Sequence, residues 1–115
     1  MVVGVGVDLV DITRFEEQVA KAPGLLERLF TPTERDASMQ TVAGRFAAKE
    51  ALIKALGGSD GVSWQEVEIT KNSSGKPEIT TTGATAQAVA DAGVSKLHLS
   101  ISHDGGMAIA MVVAE

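Results

Sequence analysis

VAGRFAAKEALIKAL, residues 42–56, contains the best helical pattern in the chain and decides how the rest of it can fold. Small and apolar residues recur here at spacings of three and four, so they share one side of a helix. The stripe consists of Ala47, Ala48, Ala51, Leu52, Ala55 and Leu56. Gly57-Gly58 follows and ends the pattern. The segment predicts a long central helix whose apolar side packs against other elements.

Alternating residues on both sides of this helix predict β-strands. At the N-terminus the apolar positions are Val3, Val5 and Val7, and the opposite face carries Gly4, Gly6 and Asp8. We expect a strand over residues 2–8, with Asp8 at its open end and room above the glycines for another backbone or a ligand. Further strands are expected near 64–70, 77–81, 97–102 and 107–113. Asp104-Gly105-Gly106 would join the last two as an antiparallel hairpin.

Capping signals predict the remaining helices. Thr13 and Glu16 have capping-box spacing, and Thr31 with Glu34 has the same spacing around Pro32. A further turn or two is expected over 25–30, and a short alanine-rich helix over 84–92. The predicted fold class is α+β (mixed α/β), a single domain over residues 1–115 with a small, mostly antiparallel sheet beside the long central helix.

Composition limits the classes of function. A 115-residue chain can bury one core but has little room for a self-contained deep site, so a site between subunits is expected. The absence of cysteine excludes disulfides and thiolate chemistry, and it fits a cytoplasmic protein. A net charge of −5 argues against general nucleic-acid binding. MVVGVGVDLV, residues 1–10, is too short and carries Asp8, so we expect neither a secretory signal nor a membrane span.

Few residues are candidates for chemistry on pattern alone. Gly4-Val5-Gly6 lacks the third glycine of a dinucleotide site, and His98 and His103 lack helical metal-ligand spacing. Glu50 and Lys54, one helical turn apart, have two interpretations. They form an ordinary surface pair worth about 0.3–0.5 kcal/mol, or a metal-binding carboxylate with an ammonium that holds a phosphate. Asp8 and His103 likewise remain either local punctuation or site residues.

Three blocks together resemble a known family. They are GVGVDL at 4–9 with Arg14 after it, RFAAKEA at 45–51 continuing to KALG at 54–57, and SISH at 100–103. FTPTE at 30–34 and NSSGKP at 72–77 add weaker matches. Their order and separation over nearly the whole chain are similar to the short, single-domain 4'-phosphopantetheinyl transferases of the holo-acyl-carrier-protein synthase type.

This resemblance implies an enzyme. It would transfer 4'-phosphopantetheine from coenzyme A to a serine of an apo acyl carrier protein and release 3',5'-ADP. The family pattern places Mg²⁺ on Asp8 and Glu50, which are the hard oxygen ligands that Mg²⁺ prefers. Lys54 would neutralise a phosphate oxygen, and Glu50, directly or through a metal-bound water, would accept the serine proton. The resemblance also implies a homotrimer whose active sites are shared between subunits.

The resemblance further implies substrate contacts. Arg45 and His103 match contacts to the nucleotide end of coenzyme A, and Lys76 and Pro77 match weaker ones. Arg14 and Arg28 match carrier-binding positions on and after the first helix.

One departure concerns the carrier. The family's first helix is usually basic, whereas here Glu16 and Glu17 lie beside Arg14. Weak electrostatic steering would suit a less acidic carrier or one tethered within a larger synthase.

Two rival functions are open to the same residues. A non-catalytic module of this fold would hold coenzyme A or a carrier, but it would not need Asp8, Glu50 and Lys54 together. A magnesium-dependent nucleotide phosphohydrolase would need a further group to position water, and the sequence offers no additional carboxylate pair for it.

Overall fold

Four helices follow the first strand, and the other strands come later along the chain; the computed structural model describes residues 1–115. In chain order they are β1 (Gly4–Asp11), α1 (Ile12–Lys21), α2 (Leu25–Leu29), α3 (Pro32–Arg35), α4 (Met39–Ala55), a 3₁₀ turn (Trp64–Glu66), β2 (Val67–Lys71), β3 (Pro77–Thr81), α5 (Gly83–Asp91), β4 (Leu97–Asp104) and β5 (Met107–Ala114). No helix among them combines the length and the apolar character needed to cross a lipid bilayer.

All strand pairing is antiparallel, and the strands divide into two sheets. The first has the order β1-β5-β4 and the second pairs β2 with β3. The predicted α+β class, with its long central helix, is confirmed. The single small sheet expected from the sequence is two sheets, because β2 and β3 form a separate hairpin against α3 and α4.

Helix α4 lies directly on β1, and two glycines make this possible. A Cβ on Gly4 would stand 1.9 Å from the Ala55 carbonyl oxygen, and one on Gly6 would stand 1.9 Å from the Ala51 carbonyl oxygen. Such distances are far inside van der Waals contact, so only glycine fits at either position. The backbone expected to approach these glycines is therefore that of α4.

The predicted apolar stripe of α4 faces the core. Ala47, Ala48, Ala51 and Leu52 are fully buried. They pack with β5, whose inward residues are Ala108, Ala110, Val112 and Ala114. Small side chains on both elements let the helix settle close to the sheet, which burial of larger residues would prevent.

On the opposite face of the three-stranded sheet, β1 and β5 carry exposed apolar side chains. These are Val5, Val7 and Leu9 on β1, which pair across the strands with Val113, Met111 and Ile109 on β5. Val7 is 52% exposed and Leu9 is 60% exposed. We call Val5, Val7, Leu9, Ile109 and Met111 the outer apolar face.

Two element boundaries near the N-terminus differ from the sequence prediction. Strand β1 continues to Asp11, so Asp8 lies in mid-strand opposite Ala110 rather than at an open end. Asp11, whose side chain accepts a bond from the Arg14 amide at 3.0 Å, caps α1. The capping box predicted at Thr13 and Glu16 is therefore wrong, because the helix has already begun when the chain reaches Thr13.

Two further boundaries moved. Helix α4 begins at Met39, three residues before the predicted start, because the Ser38 hydroxyl accepts from the Thr41 amide. Residues Trp64–Glu66 form a 3₁₀ turn, so the strand predicted from 64 starts at Val67. By contrast, the capping box at Thr31 and Glu34 is confirmed in both of its hydrogen bonds.

Candidate active site

A cavity of about 370 Å³ opens between β1, α1 and α4. Asp8 and Glu50 line it, together with the aromatic rings of Phe15 and Phe46. Lys54 reaches Asp8 from the next turn of α4, with its Nζ 3.0 Å from Asp8 Oδ1. The same ammonium donates to the Val7 carbonyl at 3.0 Å. We call this the acidic cavity; two of the three residues predicted to carry the chemistry line it, and the third, Lys54, contacts Asp8.

The electrostatics of the acidic cavity centre on Glu50. Burial raises the pKa of Glu50 above its ordinary value, the negative charge of Asp8 raises it further, and the positive charge of Lys54 opposes both. Two carboxylates near one ammonium leave an excess negative charge when all three groups are ionised. Such a site favours a cation, which would relieve the repulsion between Asp8 and Glu50.

The donor set fits a hard divalent ion. Asp8 and Glu50 offer carboxylate oxygens, and no group of three or more His, Cys, Asp or Glu side chains is positioned to hold a metal. Mg²⁺ usually takes one or two carboxylates and completes its octahedron with water and substrate phosphates. The residues present at the acidic cavity match that pattern.

The two predicted carrier-binding arginines occupy different places. Arg14 is exposed and lines the acidic cavity with Asp11 and Gln18. Arg28 is exposed on α2 and does not line the acidic cavity. Of the two arginines, only Arg14 therefore lies beside Asp8 and Glu50.

A second, smaller cavity of about 40 Å³ lies elsewhere on α4. It is lined by Thr41, Arg45, Ile69, Thr70, Lys71, Pro77, Ile101 and His103, and we call it the Arg45 cavity. Arg45 Nη1 donates to the Glu34 carbonyl at 2.7 Å. His103 Nε2 lies 3.1 Å from the Gln40 carbonyl oxygen. Three of the four residues predicted to contact the nucleotide end of coenzyme A are thus brought together.

Gly44 makes the position of His103 possible. A Cβ on Gly44 would stand 2.9 Å from His103 Nε2 and 3.0 Å from Ile101 Cγ2. A larger residue would push the imidazole away from α4. The sequence carried a signal for this role, because an interior glycine lowers helix stability and so indicates close packing.

Lys76 is the residue that the Arg45 cavity leaves out. It lines a separate cavity of about 390 Å³ with Lys96 and His98. Pro77 borders both cavities. Within one chain, Lys76 therefore lies outside the group formed by Arg45, His103 and Pro77.

The acidic cavity and the Arg45 cavity share no lining residue. Arg45 and Glu50 are five positions apart on α4, which turns their side chains about 140° away from each other. One chain therefore presents two separate parts of the predicted site, on different sides of the same helix.

Sequence reasoning missed a buried ion pair beside these cavities. Lys49 Nζ lies 2.8 Å from Glu34 Oε1, and the two side chains are 1% and 0% exposed. Burial lowers the pKa of Lys49, and the hydrogen bond and charge of Glu34 oppose that shift. The capping box had accounted for Glu34 completely, so nothing in the local pattern indicated a second partner.

Comparison with known proteins identifies the family. The family model of the 4'-phosphopantetheinyl transferase superfamily matches residues 4–112. The chain belongs to this superfamily.

Relatives that are similar in sequence indicate which type of transferase the chain resembles. The chain is 50% identical over 115 residues to the holo-[acyl-carrier-protein] synthase of Clavibacter michiganensis subsp. michiganensis, covering 100% of this chain and 97% of the relative. It is also 50% identical to that of Kocuria rhizophila, covering 100% and 94%. The resemblance to holo-acyl-carrier-protein synthases is confirmed.

Solved structures of such synthases share the fold over the whole chain. The enzyme from Neisseria meningitidis superposes with a TM-score of 0.92 at 32% identity, covering 100% of this chain and 99% of that one. The Helicobacter pylori synthase in complex with coenzyme A gives 0.85 at 36% identity, covering 96% and 99%. The chain therefore has the fold of holo-[acyl-carrier-protein] synthases, and one of these two structures is a complex with coenzyme A.

Proposed function

We propose that this chain transfers the 4'-phosphopantetheine group of coenzyme A to a serine of an apo acyl carrier protein and releases 3',5'-ADP. Its membership of the superfamily and its similarity to named synthases support the reaction. The observation that carries the proposal for this chain is the acidic cavity. There Asp8 and Glu50 from distant segments line one space, and Lys54 contacts Asp8.

Mg²⁺ would be held by Asp8 and Glu50. When bound, it supplies positive charge to the pyrophosphate oxygens of coenzyme A. The raised pKa of Glu50 supports this assignment, since desolvation and the charge of Asp8 disfavour an uncompensated carboxylate there. Calorimetry with Mg²⁺ alone tests it, and Asp8→Asn or Glu50→Gln should each abolish the heat of binding.

The chain's own residues have two further tasks. Lys54 has a third N–H beyond the bonds to Asp8 and Val7, and it is exposed enough to donate this N–H to a phosphate oxygen. Glu50 accepts the serine proton, directly or through a water, as the serine oxygen bonds to the phosphorus nearest the pantetheine arm. The bond from that phosphorus to the bridging oxygen breaks, and the electron pair leaves with 3',5'-ADP.

Arg45 and His103 would hold the nucleotide end of coenzyme A. Both line the Arg45 cavity, where Lys71 adds a further positive charge. A guanidinium matches phosphate geometry well, because it offers parallel N–H groups. Lys76 and Pro77 remain weaker candidates for the same end, and Pro77 borders the cavity directly.

The assembly is proposed to be a homotrimer with shared sites. Two observations support it: the outer apolar face is uncovered, and the two parts of the site lie on different sides of α4. A neighbour's Arg45 cavity placed beside the acidic cavity would complete one site. Light scattering should give a trimer mass, and Met111→Glu should reduce it, whereas Gln87→Glu on α5 should not. A fully active monomer contradicts the proposal.

The partner would be an acyl carrier protein, free or as a domain of a larger synthase. Arg14 lies on the acidic cavity, where it can contact the carrier. The exposed Glu16 and Glu17 on the same helix reduce attraction to a strongly acidic carrier. The cytoplasmic location rests on the absence of cysteine and stays a prediction.

One assay tests the proposed reaction. The protein is incubated with Mg²⁺, coenzyme A and an apo carrier, and the carrier is weighed by mass spectrometry. A mass gain equal to phosphopantetheine supports the transferase. Hydrolysis of coenzyme A without a carrier would instead identify a phosphohydrolase, and binding without turnover would identify a non-catalytic module.

A further inference from the structure

The ammonium of Lys49 is saturated by partners from three different segments. It donates to the Leu29 carbonyl at 2.7 Å, to Glu34 Oε1 at 2.8 Å and to the Trp64 carbonyl at 2.9 Å. A lysine ammonium has three N–H groups, so none remains for a ligand. Lys49 is also 1% exposed. It therefore has no direct part in binding substrate, although it immediately precedes Glu50.

Glu34 joins the two walls of the Arg45 cavity. Its Oε1 accepts a hydrogen bond from the ammonium of Lys49 on α4, and its Oε2 accepts one from the Ile69 amide of β2 at 2.7 Å. Its backbone carbonyl accepts the Arg45 guanidinium at 2.7 Å. Arg45 and Ile69 both line the cavity. The fully buried Glu34 thus contacts Arg45, which is the candidate for binding phosphate. It also joins α4, which carries Arg45, to β2 on the opposite side of the cavity.

The hydrogen bond between the Ile69 amide and Glu34 also covers part of the open edge of the second sheet. β2 pairs only with β3, so the outer edge of β2 has no strand beside it. The Glu34 carboxylate takes the place of a strand carbonyl at Ile69, and the Thr31 hydroxyl donates to Glu68 at 2.7 Å on the same edge. The distance between β2 and α4 is consequently set by the Glu34–Lys49 pair.

We infer that Glu34 and Lys49 are positioning residues for the nucleotide end of coenzyme A, acting by fixing Arg45 and β2 as the two walls of the Arg45 cavity. This inference rests on the proposed function, because it takes coenzyme A as the ligand. It predicts a specific effect. Loosening the pair should weaken recognition of the nucleotide-end phosphate while the acidic cavity continues to perform transfer.

Three variants test the inference. Glu34→Gln/Lys49→Met removes both buried charges at nearly constant volume, which proteins tolerate better than the loss of one partner. Glu34→Asp keeps the charge but shortens its reach. Arg45→Ala is the reference for loss of the phosphate contact itself.

Thr85→Val is the matched control. Thr85 is fully buried and its hydroxyl accepts from the Ser63 amide at 2.8 Å and donates to Glu66 at 2.9 Å. It lines neither cavity and contacts neither member of the pair. Its replacement should lower thermal stability without changing substrate recognition.

The decisive measurement compares coenzyme A with 3'-dephospho-coenzyme A. For Arg45→Ala we expect KM for coenzyme A to rise about 10-fold or more, as loss of a charge-assisted hydrogen bond predicts. In the two positioning variants KM for coenzyme A should also rise, but by a smaller factor. KM for dephospho-coenzyme A and kcat should stay nearly unchanged. Thr85→Val should leave KM for both donors unchanged. Equal losses for both donors, or no change in either, would mean that the pair is only structural.

Binding of 3',5'-ADP separates this inference from the proposed reaction. Calorimetry should show weaker binding to the positioning variants and to Arg45→Ala, whether or not transfer occurs. If the variants bind 3',5'-ADP more weakly but the wild-type protein does not transfer phosphopantetheine, the proposed reaction is refuted and the inference stands. Transfer with unchanged 3',5'-ADP affinity in the variants would refute the inference alone.

A measurement on the unmutated chain covers the case in which both positioning variants unfold. Hydrogen exchange at the Ile69 amide reports directly on its bond to Glu34. Binding of 3',5'-ADP should slow this exchange, because a ligand between the walls stabilises the arrangement that Glu34 holds. Unchanged exchange at Ile69 on saturation would overturn the inference.

Discussion

Helix α4 carries two lysine–carboxylate pairs that differ in almost every respect except length. Lys49 and Glu34 meet at 2.8 Å with side chains 1% and 0% exposed. Lys54 and Asp8 meet at 3.0 Å with side chains 53% and 17% exposed. The first ammonium is saturated within the chain, and the second keeps a free N–H and access to solvent.

This difference separates two functions of the same chemistry. A buried pair is expensive to break, because the remaining charge has no water around it. An exposed pair is screened and contributes little to stability, so either partner can exchange it for a ligand. The Glu34–Lys49 pair therefore stabilises the fold, and the Asp8–Lys54 pair would be available for the proposed substrate and metal.

The largest effect is expected from the carboxylate beside the exposed pair. Glu50→Gln keeps the size of the side chain but removes its charge and its capacity to accept a proton. We expect kcat to fall about 10²–10⁴-fold, as for loss of a general base, with an unchanged circular-dichroism spectrum. Glu27→Gln, an exposed glutamate of α2, is the matched control and should leave kcat unchanged.

Breaking the buried pair should give the largest loss of stability. Lys49→Met leaves the Glu34 carboxylate buried without its partner, and we expect the free energy of unfolding to fall by about 3–5 kcal/mol. Urea denaturation measures this directly. A loss below 1 kcal/mol would mean that water reaches Glu34, and the distinction between the two pairs would not hold.

Removal of the exposed lysine should reverse the pattern. Lys54→Met is expected to change the free energy of unfolding by no more than about 1 kcal/mol, yet it removes the ammonium proposed to hold a phosphate. Transfer should therefore be impaired in a protein that unfolds at nearly the same urea concentration. An active Lys54→Met enzyme would exclude Lys54 from the reaction.

A smaller effect should appear in the pH dependence of stability. The pKa of Glu50 is raised in the folded state above its ordinary value of 4.5. The folded protein therefore holds this proton more tightly than the unfolded chain, and wild type loses stability as pH rises from 4.5 through the raised pKa. In metal-free buffer, Glu50→Gln should melt at a slightly higher temperature than wild type at pH 7. Thermal melts should show that the advantage disappears below pH 4.5.

The smallest effect belongs to a cation with no ion pair. Arg14 is exposed and forms none of the three salt bridges in the structure. Arg14→Ala should raise KM for the carrier a few-fold and leave KM for coenzyme A unchanged. The difference should shrink as salt rises, because exposed charges are screened over about 8–10 Å. Equal effects on both substrates would remove Arg14 from the carrier surface.

A related substitution concerns the carrier's charge. Replacing Glu16 and Glu17 with Gln should speed association with an acidic free carrier at low salt. An unchanged association rate would show that these residues face away from the carrier.

Local sequence patterns predicted the elements well wherever one signal dominated. The apolar stripe of α4 fixed its buried side, and the alternation around Asp104-Gly105-Gly106 predicted the β4–β5 hairpin. The start of α1 was predicted wrongly, because two capping residues competed there. Asp11 precedes Thr13 and ends the strand at the helix start, a choice that depends on how β1 pairs with β5.

The sequence predicted candidate site residues but not how they are arranged. Family motifs identified Asp8, Glu50 and Arg45, because each lies in a continuous block of sequence. The Glu34–Lys49 pair joins residues 15 positions apart, and the Glu34–Ile69 bond joins residues 35 apart. Contacts at such separations depend on tertiary packing, which a single sequence does not display.

The separation of the acidic cavity from the Arg45 cavity has a genetic consequence. If neighbouring subunits combine these parts, a chain lacking Glu50 loses transfer and a chain lacking Arg45 binds coenzyme A poorly, yet each retains the part that the other has lost. Mixed assemblies would contain some sites in which both parts are intact. Two defective alleles expressed in one cell would then restore activity to each other, which no enzyme with a site confined to one chain can do.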